Sequence, residues 1–100
     1  MIFEVQENDG GMFATLHGRL DTPSAVVAEQ ETTPLLENAN KEIILDCSNL
    51  EYISSSGLRI FISILKSVKA RKGTVVVKNI NDEIKKVFEM TGFNKLFIIK

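Results

Sequence analysis

The apolar positions of this chain follow two rhythms, short runs near period two and longer stretches near period 3.6. Ile2, Phe3 and Val5 alternate loosely and predict a first strand over residues 2–7. Asn8-Asp9-Gly10-Gly11 is a turn sequence, and Met12 to His17 predicts the strand that returns antiparallel. Lys41 to Cys47 and Thr74 to Lys78 are compact apolar runs with polar ends, the pattern of strands buried on both faces. Leu96-Phe97-Ile98-Ile99 predicts a last short strand. Between these runs the period lengthens. Leu58, Phe61, Ile62, Leu65 and Val68 stand at i, i+3, i+4, i+7 and i+10, one apolar face of a helix over about residues 57–71 that Gly73 ends. Lys66, Lys69, Arg71 and Lys72 load its C-terminal half with positive charge, which suits the helix dipole.

Two further helices are expected. Asp21 or Thr22 caps the first and Pro23 suits its first turn; Ala25, Ala28, Leu35, Leu36 and Ala39 lie toward one side. Pro34 predicts a kink or restart near residues 32–34. Asn81 caps the other, which turns Ile84, Val87, Phe88 and Thr91 inward and closes at Gly92. Residues 48–52 are expected to be a linking loop. A strand, a helix and a second strand in succession require a parallel pair and a right-handed crossover. The expected fold class is α/β, a small mixed β-sheet of four or five strands with three main α-helices packed on it. Residues 1–100 are expected to form a single domain.

Composition narrows the function. Twelve Lys and Arg against thirteen Asp and Glu leave a net charge of −1, no footing for wholesale binding to nucleic acid or anionic membrane. Cys47 is the only cysteine, so no internal disulfide is possible; it is expected to be a small core residue in a reducing compartment. No apolar run approaches the ~18–20 residues of a membrane span, and the N-terminus lacks the features of a signal peptide. A cytoplasmic protein without membrane insertion is the expectation. His17 is the single imidazole, so neither a metal nor another cofactor is expected. A serine hydrolase would need a base, an orienting acid and a Gly-x-Ser-x-Gly elbow, which Ser54-Ser55-Ser56-Gly57 lacks. The chain is therefore expected not to be an enzyme.

The candidate chemistry lies in Tyr52-Ile53-Ser54-Ser55-Ser56-Gly57-Leu58, where a strand hands over to a helix beginning near Ser56 or Gly57. The first turn of a helix holds unpaired N–H groups and the positive end of the dipole. A serine there can be a cap, a phosphate-accepting switch, or both. Ile60 and Ile64 lie roughly 120–160° from the centre of the apolar face, at ~100° per residue. They either pack under a neighbouring loop or form a partner-binding patch.

Three pieces, in this order, resemble the STAS domain, the bacterial family of anti-sigma-factor antagonists. Gly18-Arg19-Leu20-Asp21 is similar to the family's Gly-x-Leu-Asp. Ile44-Leu45-Asp46, followed by Leu50 to Leu58, is similar to its strand, loop and Asp-Ser-Ser-Gly-Leu signature. Val87-Phe88-Glu89-Met90-Thr91-Gly92-Phe93 is similar to its closing helix. The resemblance implies a STAS-like fold, with Ser55 as the phosphorylated serine. It implies a partner that is both anti-sigma factor and serine kinase, and a serine phosphatase that resets the switch. Unphosphorylated, the chain would bind that partner through Asp21, Ser54, Ser55, Ser56, Gly57 and the outward residues Arg59, Ile60, Ser63 and Ile64; phosphorylation would release it. Ser54 stands where the family commonly carries Asp, which makes Ser54 and Ser56 candidate acceptors too. Asp21 and Asp46 match acidic positions that flank the same region. Other members are accessory subunits of membrane transport systems, some nucleotide- or lipid-linked. A nucleotide here would have to use the Ser54–Gly57 helix start, since no Gly-x-x-x-x-Gly-Lys-Ser loop is present.

Overall fold

A computed structural model describes residues 2–8 and 10–100; Met1, and Asp9 of the expected turn, lie outside the described residues. Strands β1 (Phe3–Asn8) and β2 (Gly11–Leu20) pair antiparallel, with Phe3 opposite Leu16. Strands β3 (Glu42–Ile53), β4 (Thr74–Lys78) and β5 (Ile98–Ile99) add in parallel, so the sheet order β1-β2-β3-β4-β5 follows the chain. Helices α1 (Thr22–Glu31) and α2 (Thr33–Glu37) connect β2 to β3, and α3 (Ser55–Ala70) connects β3 to β4. Helices α4 (Asp82–Thr91) and α5 (Phe93–Leu96) connect β4 to β5. This is the expected mixed sheet with three main helices, plus two short ones.

Three parallel connections advance across the sheet in one direction. Right-handed crossovers of that kind lay every helix on the same face. The core follows: Phe3, Met12, Ala14, Leu16, Ile43, Leu45, Cys47, Val75 and Val77 point into it, while Phe13, Ile44 and Ile98 take no part in it; Val76, on the other face, is buried all the same. The expectation of burial on both faces holds for β4, where Val75, Val76 and Val77 are all buried, and is corrected for β3, whose Ile44 and Asp46 are only half-buried.

Four phenylalanines lock the far end of the core. Phe61 of α3 meets Phe88 edge-on with ring centroids 5.8 Å apart, and Phe93 and Phe97 pack against Phe88 at 5.4 and 6.2 Å. The Asn81 carboxamide oxygen accepts from the Ile84 amide at 2.8 Å, the expected cap, and Gly92 ends α4 with a φ of 80°. Ile84 and Phe88 are buried, Val87 is half-buried, and Thr91 is exposed rather than inward. The break at Thr32 falls where Pro34 predicts it. The turn after α3 differs: Lys72, not Gly73, takes the left-handed φ of 62°. Gly73 is there for space, since a Cβ would lie 2.0 Å from the Ala39 carbonyl oxygen.

Two boundaries move. Residues 48–52 are strand, not loop, because β3 runs on beside β2 as far as the Leu20–Ile53 pair. Register shifts between Thr15 and His17 and between Gly18 and Arg19 accommodate the polar residues, helped by the positive φ of 73° at Gly18. The last strand is shorter than expected, because residues 93–96 form a helical turn. Among the described residues, no helix is long and apolar enough to cross a membrane.

Candidate functional site

The serine run sits where β3 ends against β2. The Ser54 amide donates to the Leu20 carbonyl at 2.9 Å, a last bond that carries the sheet one residue beyond the Leu20–Ile53 pair. Ser54 then adopts φ −96° and ψ 175°, and its hydroxyl oxygen accepts from the Gly57 amide at 3.3 Å. Ser54 is therefore the cap, and α3 begins at Ser55, earlier than the expected Ser56 or Gly57. The three hydroxyls separate by role. Ser54 is half-buried and used, Ser55 is exposed at the first helical position, and Ser56 is half-buried.

Gly57 is buried, not part of an accessible surface. A Cβ there would lie 2.7 Å from Leu20 Cγ and 2.8 Å from Ile53 Cγ1. The glycine lets α3 start in close contact with the ends of β2 and β3, and so fixes where Ser55 emerges. Its expected place among the partner-binding residues is corrected to this packing role.

Ile60 and Ile64 are corrected as well. Both belong to the core, 6% and 0% exposed. The buried set Gly57, Ile60, Phe61, Ile64, Leu65 and Val68 is rotated about 70° from the arc drawn by Leu58, Phe61, Ile62, Leu65 and Val68, at ~100° per residue. The cause is α1, which packs beside α3 and covers a flank that helical periodicity alone assigns to solvent. Arg59 and Ser63 remain exposed.

Between α1 and α3 runs a groove of about 290 Å³, lined by Thr22, Val26 and Glu29 on one side and Ser56, Arg59 and Ser63 on the other, with Ile60 in its floor. Val26 and Val27 are 65% and 54% exposed. The α1 side of this groove escapes sequence reasoning; its one signal is the adjacent valine pair, which has no place on the Ala25–Ala28 face. Arg19, beside Tyr52 in the β2–β3 register, places its guanidinium 4.4 Å from the centre of that ring, a cation–π contact next to the serine turn.

Asp21 and Asp46 part company. Asp21 caps α1: Oδ1 accepts from the Ser24 amide at 3.0 Å, and the Asp21 amide donates to the Ser24 hydroxyl at 3.0 Å. The Ser24 amide, then its hydroxyl, hold the Asp21 carboxyl below its ordinary value. Asp21 adjoins the site through Leu20. Asp46 does not flank it, because seven further strand residues place it about 20 Å away along β3. Burial works against its ionisation, yet donors from Asn79 and Ser48 outweigh that and keep its carboxyl below the ordinary value.

Cys47 is buried, and the loss of hydration pushes its thiol up to about 12, as a core residue requires. The His17 imidazole lies 3.1 Å from Glu4. No hydrogen bond joins it to the serine turn among the described residues.

The profile of the STAS domain matches residues 3–100 of the chain. BtrV of Bordetella bronchiseptica, described as a candidate anti-sigma factor antagonist, is 30% identical over 89 residues, 89% of this chain and 77% of that protein. Among solved structures, a candidate anti-sigma factor antagonist of Thermotoga maritima superposes with a TM-score of 0.87 at 23% identity, covering 97% of this chain and 84% of that one. The Bacillus protein SpoIIAA, solved in its phosphorylated form, superposes with a TM-score of 0.73 at 18% identity, covering 98% and 90%. For its unphosphorylated form the TM-score is 0.74, at 18% identity and 98% and 86% coverage.

Proposed function

The chain belongs to the STAS domain family, and from that premise we propose that it is an anti-sigma-factor antagonist working as a binding switch. Unphosphorylated, the surface around Ser55 docks on an anti-sigma factor that is also a serine kinase. Phosphate on Ser55 releases that partner, and a serine phosphatase restores docking. The chain binds in the cytoplasm and catalyses nothing itself. The docking surface consists of Ser54, Ser55 and Ser56, with Asp21 behind them and Arg59 and Ser63 beside them.

One observation carries this reading: Ser55 is the exposed first residue of α3, while its neighbour Ser54 does the capping. A phosphate at that position meets unpaired amides and the positive end of a 16-residue helix with no acidic side chain in its first turn. The fold therefore tolerates the new charge. The likeness to both forms of SpoIIAA supports this. The effect falls on the partner instead. Phosphorylation adds about −1.5 to −2 charges, and one like charge at ~5 Å and an effective dielectric of ~20 is worth roughly 3 kcal/mol. That is about two decades in affinity, enough to release a micromolar partner.

The test is incubation with ATP and an anti-sigma factor that carries serine kinase activity, followed by peptide mass spectrometry. Phosphate on Ser55, and its loss in Ser55→Ala, is expected; phosphate confined to Ser54 or Ser56, or none, refutes the assignment.

A further inference from the structure

The basic residues of α3 are unevenly placed. Lys66 and Lys69 lie in its C-terminal half, where the helix dipole favours a cation; Arg59 alone lies in the N-terminal half, where it does not. Its neighbours one turn away along the helix are Ser55, Ser56, Ile62 and Ser63, and none of them is acidic. Glu29 of α1 lines the same groove, yet among the described residues Arg59 forms no ion pair with it or with any other carboxylate. An exposed guanidinium without an anion therefore stands one turn from the switch serine.

Its position relative to Ser55 is specific. Four residues turn a helix through about 400°, so Arg59 stands about 40° round from Ser55, with Cβ atoms about 5–6 Å apart. Long side chains on a helix lean toward its N-terminus, over the preceding turn. The rotamers open to Arg59 thus bring its guanidinium over Ser55, and both residues are exposed. A phosphate on Ser55 presents three acceptor oxygens to a planar fork of N–H donors, a match that a lysine ammonium makes only as a point charge.

We propose that Arg59 holds the modified state of the switch: once Ser55 carries phosphate, the guanidinium closes on it as a two-pronged ion pair within the same helix. The inference rests on the reading of Ser55 as the phosphorylated serine and adds the residue that receives the charge. In the unmodified chain the same guanidinium stands on the docking surface beside the serines. Phosphate thus takes a cation from that surface as it adds an anion, so one event changes two charges that the partner meets.

The test needs neither kinase nor partner. Phosphoserine is incorporated at position 55 during synthesis of the full chain, and phosphorus NMR follows its second ionisation, ordinarily near pH ~6. A paired cation favours the dianion. Arg59→Gln is therefore expected to raise the midpoint by about 0.3–0.7 pH unit, the size of an exposed charge pair, and Arg59→Lys to raise it less. Arg19, Asp21, Glu29 and Tyr52, which face this corner from β2, α1 and β3, are the same in every variant. Lys66→Gln removes an equal charge about 16 Å from Ser55 along the helix, beyond the ~8 Å screening length, and is expected to leave the midpoint in place. Circular dichroism confirms the fold of each variant. A midpoint indifferent to the residue at position 59, or one that moves equally with Lys66→Gln, overturns the pairing and leaves the assignment of Ser55 standing. A kinase that avoids Ser55 overturns that assignment instead.

Discussion

Helices α1 and α3 start side by side, at the ends of β2 and β3 that the Leu20–Ile53 pair joins, and they are capped by opposite chemistry. At α1 a carboxylate caps. Asp21 and Ser24 bond reciprocally, so the helix dipole meets a charge that is always present. At α3 a neutral hydroxyl caps through one bond at 3.3 Å, and no acid follows in the first turn. The first start is complete as synthesised. The second has room for an anion at Ser55, and the proposed switch supplies one on demand. What the contrast teaches is that in this chain the proposed regulated charge falls where the fold supplies no permanent one.

The largest effect that can break this contrast is on binding. Ser55→Asp is expected to keep the melting temperature of the unmodified chain while weakening partner binding by up to about two decades, the equivalent of roughly 3 kcal/mol. Calorimetric titration against the anti-sigma factor reads this directly, and Ser55→Ala should bind as the unmodified chain does. Next comes packing. Gly57→Ala forces a methyl against Leu20 and Ile53 and is expected to lower stability by about 1–3 kcal/mol in urea titration. No comparable glycine supports the start of α1, where Pro23 and Ser24 follow the cap.

How much of this was legible depended on whether the signal was local. The Ser54 cap, the break before Pro34 and the Asn81 cap are written in single residues whose hydrogen-bonding preferences act within one turn. The face of α3 is not. Leu58 and Ile62 satisfy a helical stripe, yet they end half-buried at its rim, while Ile60 and Ile64 are core because α1 lies beside them. Only the tertiary arrangement decides that. The strand character of Ser48 to Tyr52 was hidden for a related reason: polar residues there pair with a bulged stretch of β2, a partner far away in sequence. The groove between α1 and α3 was half legible, its α3 wall through the serine run and its α1 wall scarcely at all.

Smaller effects sharpen the comparison. Ser54→Asp gives α3 a permanent anion like that of α1, and is expected to raise stability by about 0.3–1 kcal/mol at neutral pH and low salt. The same substitution should shrink the further change in melting temperature caused by phosphate on Ser55, since the dipole is already compensated. The smallest effect concerns pH. The Asp21 carboxyl titrates below its ordinary value in the folded chain, so its contribution is full above the unfolded value of about 3.9 and fades as pH falls through the lower folded value. Asp21→Asn keeps an oxygen for the cap but removes the charge, so it should flatten that part of the acid denaturation curve and slightly lower the neutral-pH melting temperature.

The most direct test places phosphoserine at position 55 alone and measures both affinity for the anti-sigma factor and melting temperature on one sample. A melting temperature that stays put, with binding weaker by about two decades, is the predicted result. Undiminished binding, or a domain that unfolds once the phosphate is attached, would contradict it.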